Sequence, residues 1–76
     1  IRIENLVVVT AVNGSDFLQF ETITICPFDQ RLIDKTLLNA NEISWVNSYH
    51  HTVSEALSPH LSGSTNAWLE AACRPL

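Results

Sequence analysis

Two residues near the start of the chain, Arg2 and Glu4, have the types and spacing to do chemistry. They lie in the run Ile1-Arg2-Ile3-Glu4-Asn5-Leu6-Val7-Val8-Val9, whose Val and Ile content reads as a β-strand. Side chains alternate along a strand, so Arg2, Glu4, Leu6 and Val8 share one face. A carboxylate on a half-apolar strand is costly unless it is paired, hydrogen-bonded or bound to a metal. From the residues alone two readings stand: an Arg–Glu ion pair at the strand's exposed start, or a metal-binding or catalytic carboxylate.

The other reactive side chains carry weaker signals. Glu21 also sits in a strand-like run, where a carboxylate usually faces solvent or a paired base, so it reads as structural. His50 and His51 are adjacent on a helix and point about 100° apart, so they cannot share an ion. Metal pairs on helices use i, i+3 or i+4 spacing instead. His50 falls on an apolar stripe and is expected to be a hydrogen-bonded core histidine, with His51 and His60 solvated. The serines form no Gly-x-Ser-x-Gly elbow, and there is no glycine-rich phosphate loop. Cys26 and Cys73 match no zinc or CxxC spacing, and buried free thiols are expected.

The elements that must position these groups follow from the pattern. Residues 1–12 read as a strand and Asn13-Gly14-Ser15-Asp16 as a turn, since Asn and Gly accept positive φ. Phe17 to Ile25 alternates as a second strand that Pro27 ends. Residues 28–38 read as a connector with one short helical turn. Asn39-Ala40-Asn41-Glu42 has the cap and third-position acid of a capping box. From there Ile43, Val46, His50, Val53 and Leu57 recur at helical spacing, widened by Trp45, Tyr49 and Ala56, until Ser58-Pro59. A second helix is predicted from about Thr65 to Ala72, with Trp68, Leu69 and Ala72 inward. The aromatic residues at helical spacing read as core or interface packing. The fold class is α+β, a β-hairpin followed by two helices.

Composition narrows the function classes. With 76 residues, 46% hydrophobic and 16% charged, the chain is globular and holds one small domain at most. A net charge of −4 with four Lys and Arg offers no basic stripe for nucleic acid or anionic lipid. No apolar stretch approaches the ~18 residues of a membrane span, and the start lacks a signal peptide's basic region. The two cysteines fit a cytoplasmic protein. The chain opens on Ile1 and contains no Met, and its hairpin would leave unpaired edges; both features read as truncation.

The opening run resembles the last metal-ligand strand of the aminopeptidase P branch of the pita-bread metallopeptidases. The likeness continues in order through Phe20-Glu21-Thr22-Ile23-Thr24-Ile25-Cys26-Pro27, Asp29-Gln30-Arg31-Leu32-Ile33-Asp34 and Glu42-Ile43-Ser44-Trp45. It then runs through Tyr49-His50, Ser54-Glu55-Ala56-Leu57-Ser58-Pro59, Ala67-Trp68-Leu69-Glu70-Ala71-Ala72 and Arg74-Pro75-Leu76. Two departures stand out, Cys26 for a small or aliphatic residue and Asn39 for a Thr cap.

The resemblance implies that residues 1–76 are the C-terminal segment of a metallopeptidase catalytic domain with the pita-bread fold. Residues 1–27 would be the hairpin carrying the last ligand strand, and residues 28–76 a helical extension. In that family two Asp, one His and two Glu hold two divalent ions, manganese typically, and the final Glu, which bridges both, matches Glu4. Arg2 matches an arginine that braces the cluster from outside the ligand set. The implied activity removes an N-terminal residue preceding proline through a hydroxide activated by the two ions. Implied partners are a peptide with proline at its second position, the remainder of the catalytic domain and a second copy in a homodimer. The 76 residues alone are expected to bind no metal stably and to be inactive. The alternative is a non-catalytic interaction or scaffold module, either free or the tail of a pseudo-enzyme.

Overall fold

The computed structural model describes residues 2–76; Ile1, which the sequence reading puts at the head of the first strand, lies outside them. Two antiparallel strands, β1 (Val7–Ala11) and β2 (Leu18–Thr22), precede two helices, α1 (Ala40–Leu57) and α2 (Gly63–Ala72). Short 3₁₀ turns at Gln30–Leu32, Lys35–Leu37 and Ser58–His60 complete the chain. The expected α+β order, hairpin then two helices, is the one found.

The hairpin turns where the sequence places it. Gly14 takes a φ of 74°, a region open to glycine, and Val12 N–H donates to the Phe17 carbonyl at 3.0 Å to close the loop. Pairing of Val7 with Thr22, Val9 with Phe20 and Ala11 with Leu18 puts these six side chains on one face. Val8, Thr10, Gln19 and Glu21 line the other. One face is therefore mostly apolar and the other mostly polar.

Both strands are shorter than the alternating pattern predicts. Ile23 N–H still donates to the Leu6 carbonyl at 3.0 Å, but Leu6 N–H turns to the Thr24 hydroxyl at 2.7 Å instead of completing the ladder. Beyond that point the second strand peels away onto α1. The Tyr49 hydroxyl accepts Cys26 N–H at 3.2 Å and donates to the Cys26 carbonyl at 2.6 Å. Residues 2–5 thus run without a strand partner, and β1 starts at Val7.

Helix α1 carries the predicted capping box. Glu42 N–H donates to Asn39 Oδ1 and Asn39 N–H to Glu42 Oε2, both at 2.9 Å, satisfying two otherwise orphaned amides. The helix ends at Leu57, where Pro59 forbids another regular turn. Its buried residues are Val46, Tyr49, His50 and Val53, which recur at three and four. Tyr49 and Val53 meet Leu69 of α2 in the core, with Phe28, Leu57, Leu61 and Cys73 packed around them. Three expectations fail here. Trp68 is exposed, because the contact between the helices is made through Leu69, and on α1 both Trp45 and Ala56 are exposed. The connector forms two 3₁₀ turns rather than one, each started by an aspartate, Asp29 or Asp34, that accepts the amide two residues on.

His50 is the hydrogen-bonded core histidine the stripe predicts. It is fully buried, and its Nε2 accepts Phe28 N–H at 3.0 Å. An accepting Nε2 requires a neutral ring with the proton on Nδ1. Burial pushes its pKa below the ordinary 6.5. Above pH 6.5 the ring is neutral in both folded and unfolded chains, so its contribution is intact. As pH falls through 6.5 the unfolded chain takes up a proton that the folded one resists, and stability drops. The melting midpoint should therefore fall between about pH 7.5 and 5, with a smaller slope in His50→Gln. Tyr49→Phe should lose about 1–3 kcal/mol of local protection, read as faster hydrogen exchange at the Cys26 amide with the α1 interior amides unchanged.

Candidate functional site

Glu4 and Arg2 stand on the short segment before β1, held from behind by the two bonds at Leu6. The Arg2 guanidinium lies 3.5 Å from Glu4 Oε1, so the two do share a side of the chain. Both are open to solvent, at 86% and 67% exposure, and an exposed pair of this kind holds little energy. The ion pair the sequence allowed is formed, and the carboxylate in it is accessible.

The chemistry of that carboxylate suits a hard divalent ion. It carries two oxygens, one of which faces an arginine across a long contact while the other has no protein partner among the described residues. One carboxylate does not make a site. Among the described residues no three His, Cys, Asp or Glu side chains gather where they could hold an ion. A metal ion at Glu4 would need its other ligands from chain segments beyond the described residues.

The remaining candidates fall outside this locale. Glu21 is exposed across from Val8, as a structural carboxylate would be. His51 Nε2 lies 3.9 Å from Glu55 one helical turn on, and both are exposed, as is His60. His50 is occupied by Phe28. The cysteines are free, but neither is buried: Cys26 is exposed and Cys73 half-buried. Cys26 turns outward because the Tyr49 hydroxyl holds the peptide group on the other side of it.

Sequence reasoning passed over one strong electrostatic pair. Arg31 binds Asp29 through two side-chain bonds, at 3.0 and 2.7 Å, and a backbone bond from Arg31 N–H adds to them. These bonds lower the Asp29 pKa to about 2. The Asp-x-Arg spacing was the available signal. The carboxylate caps a 3₁₀ turn, so the pair shapes the connector rather than a reaction.

Comparison with known proteins follows the same geometry. A family described as the C-terminal region of peptidase M24 matches residues 16–76. Aminopeptidase P1 of Lotus japonicus is 41% identical over the whole chain, and aminopeptidase P2 of Arabidopsis thaliana 42%. The chain spans 13% and 12% of those proteins' lengths. The crystal structure of X-prolyl aminopeptidase from Caenorhabditis elegans, described as a cytosolic enzyme with a di-nuclear active site, superposes with a TM-score of 0.78. It is 36% identical, and the match covers 100% of this chain and 14% of that one. The hairpin-and-helices unit is thus the fold of the corresponding part of that pita-bread aminopeptidase, and the chain belongs to the peptidase M24 family, as its C-terminal region.

Proposed function

We propose that this chain serves as the C-terminal part of the catalytic domain of a metal-dependent Xaa-Pro aminopeptidase. Residues 1–27 would contribute the hairpin with its metal ligand and residues 28–76 the helical extension. The observation that carries this reading is similarity over the whole chain to aminopeptidase P sequences and to one solved X-prolyl aminopeptidase. The substrate is a peptide with proline at its second position, and the protein works in the cytoplasm as a homodimer. Among the described residues, no helix is long and apolar enough to cross a membrane.

Glu4 is the ligand this chain would supply to a pair of divalent ions, with manganese the expected metal. Such a pair of ions lowers the pKa of bound water and polarises a scissile carbonyl. The chain's own part is to present Glu4 from a fixed backbone and to brace it with Arg2, whose guanidinium can hydrogen-bond a neighbouring acidic ligand. The rest of the catalytic domain brings the other ligands and covers the apolar face of the hairpin. Val7, Val9, Leu18 and Phe20 are about half to three-quarters exposed there, more contiguous apolar surface than a finished domain leaves open.

The exposed tryptophans Trp45 and Trp68 favour a second reading, a non-catalytic interaction module. Hydrolysis of an Xaa-Pro-Xaa tripeptide with added manganese separates the two. The longest gene product containing these residues should release the N-terminal amino acid. Glu4→Gln should lose bound metal and reduce the rate by more than the ~10–100-fold typical of a residue outside the ligand set. Equal rates in wild type and Glu4→Gln would remove Glu4 from the site, and an inactive wild type without metal would favour the module. Arg2→Gln should weaken metal binding about 10–100-fold while leaving the melting midpoint unmoved, because its ion pair is exposed. Residues 1–76 alone should show no hydrolysis.

A further inference from the structure

The hairpin tip is Asn13-Gly14-Ser15-Asp16, and all four residues are exposed. Val12, Asn13, Gly14 and Ser15 form a turn that Ser15 N–H closes onto the Val12 carbonyl at 3.2 Å. Gly14 is its third residue, at a φ of 74°, and Asn13 before it has no positive φ. Nothing lies within 4 Å of the place a Gly14 Cβ would take. The space around the peptide bond from Asn13 to Gly14 is therefore open. Among the described residues, neither the Asn13 side chain nor the Gly14 N–H has a hydrogen-bond partner.

The other asparagines are held. Leu6 N–H, which follows Asn5, donates to the Thr24 hydroxyl, and Glu42 N–H, which follows Asn41, donates to Asn39 Oδ1. That second bond holds the Asn39 side chain as well, while Asn47 Oδ1 accepts Leu76 N–H at 2.8 Å. Asn66 lies within α2. Asn13 alone is followed by glycine, whose missing side chain leaves the amide nitrogen uncrowded.

We propose that Asn13 is a modification site, whose side chain cyclises onto the Gly14 nitrogen and reopens with water as aspartate or isoaspartate.

Closing Gly14 N onto Asn13 Cγ makes a five-membered ring, so the covalent chain itself keeps the two atoms in reach. A base removes the Gly14 N–H proton and the nitrogen attacks Cγ. The N–Cγ bond forms, the Cγ–Nδ2 bond breaks, and Nδ2 leaves as ammonia with a proton from water. Water then adds to one carbonyl of the cyclic imide. Addition at Cγ frees the side chain as aspartate; addition at the backbone carbonyl leaves the main chain running through Cβ and Cγ, as isoaspartate. One asparagine and one water thus give one acid and one ammonia, with no oxidant or metal. Either product adds a carboxylate to a tip that already holds Asp16. Isoaspartate also adds a backbone atom to the loop that Val12 N–H closes onto the Phe17 carbonyl. The site does not depend on the peptidase reading.

The test warms the full-length protein carrying this chain in mildly alkaline and mildly acidic buffer, beside a synthetic peptide of residues 9–18. On digestion, the Asn13 fragment should gain the mass of one amide-to-acid exchange and separate into two isomers. The isoaspartyl isomer should accept a methyl group from isoaspartyl methyltransferase. Conversion should keep pace with the peptide and slow in acid, while Asn5, Asn39, Asn41, Asn47 and Asn66 stay intact. Asn13→Gln should lose the methyl-accepting signal, and the aged wild type should exchange the Val12 amide faster. An Asn13 that survives in the protein while the peptide converts would overturn the proposal. So would aspartate formed without isoaspartate, or equal conversion at the other asparagines.

Discussion

The structure depends on two neighbouring side chains of α1 that take over the backbone where β2 ends. Tyr49 and His50 accept the amides of Cys26 and Phe28, two alternate residues of the departing strand. Phe28 then stacks on Tyr49 with ring centroids 4.7 Å apart, and Trp45 stacks on both, at 5.7 Å from Tyr49 and 6.3 Å from Phe28. A strand edge that would otherwise end in unpaired amides is instead finished by a helix. The cost is specificity of protonation: His50 must stay neutral, and its Nδ1 proton is buried without a partner among the described residues. The same takeover ends the ladder, and so determines where the segment bearing Glu4 begins to run free of β2.

What could be seen in the sequence were features with a local cause. The capping box at Asn39 and Glu42 spans four residues, and the stripe of Val46, His50 and Val53 repeats within one helix, so α1 could be read within a residue of its ends. The turn at Gly14 was equally local. The strand ends were not. They are set by Thr24 and Tyr49 hydroxyls reaching backbone groups 18 and 23 residues away, and alternation of side chains does not record such contacts. Trp68 illustrates a related limit. Periodicity marks it as apolar-face, but a single neighbouring helix covers only the sector around Leu69. For the site, the Arg2–Glu4 spacing correctly put the two side chains together, while the proposed metal role rests on resemblance and not on any cluster among the described residues.

The hairpin is two-sided in chemistry as well as shape. Val7, Val9, Leu18 and Phe20 form one face, and Thr10, Gln19 and Glu21 dominate the other. Extending the alternation back through the segment before β1 puts Arg2 and Glu4 on the polar side, away from the apolar wall. An acidic side chain on that side stays close to water and mobile ions, while the opposite side can bury against protein. The same two strands can therefore serve a core and a wet cleft without placing a charge in the core.

The turn around Gly14 then has a consequence beyond closing a loop. Because the pairing of β1 with β2 is counted from that turn, adding or removing one residue there would slide the strands by about 3.3 Å and exchange their faces. A carboxylate delivered toward water would be replaced by its neighbour, an isoleucine or an asparagine, with no change to any residue near it. Loop length in this hairpin works as an address: it decides which side chain arrives, and an error of one unit delivers the wrong functional group to an otherwise intact fold.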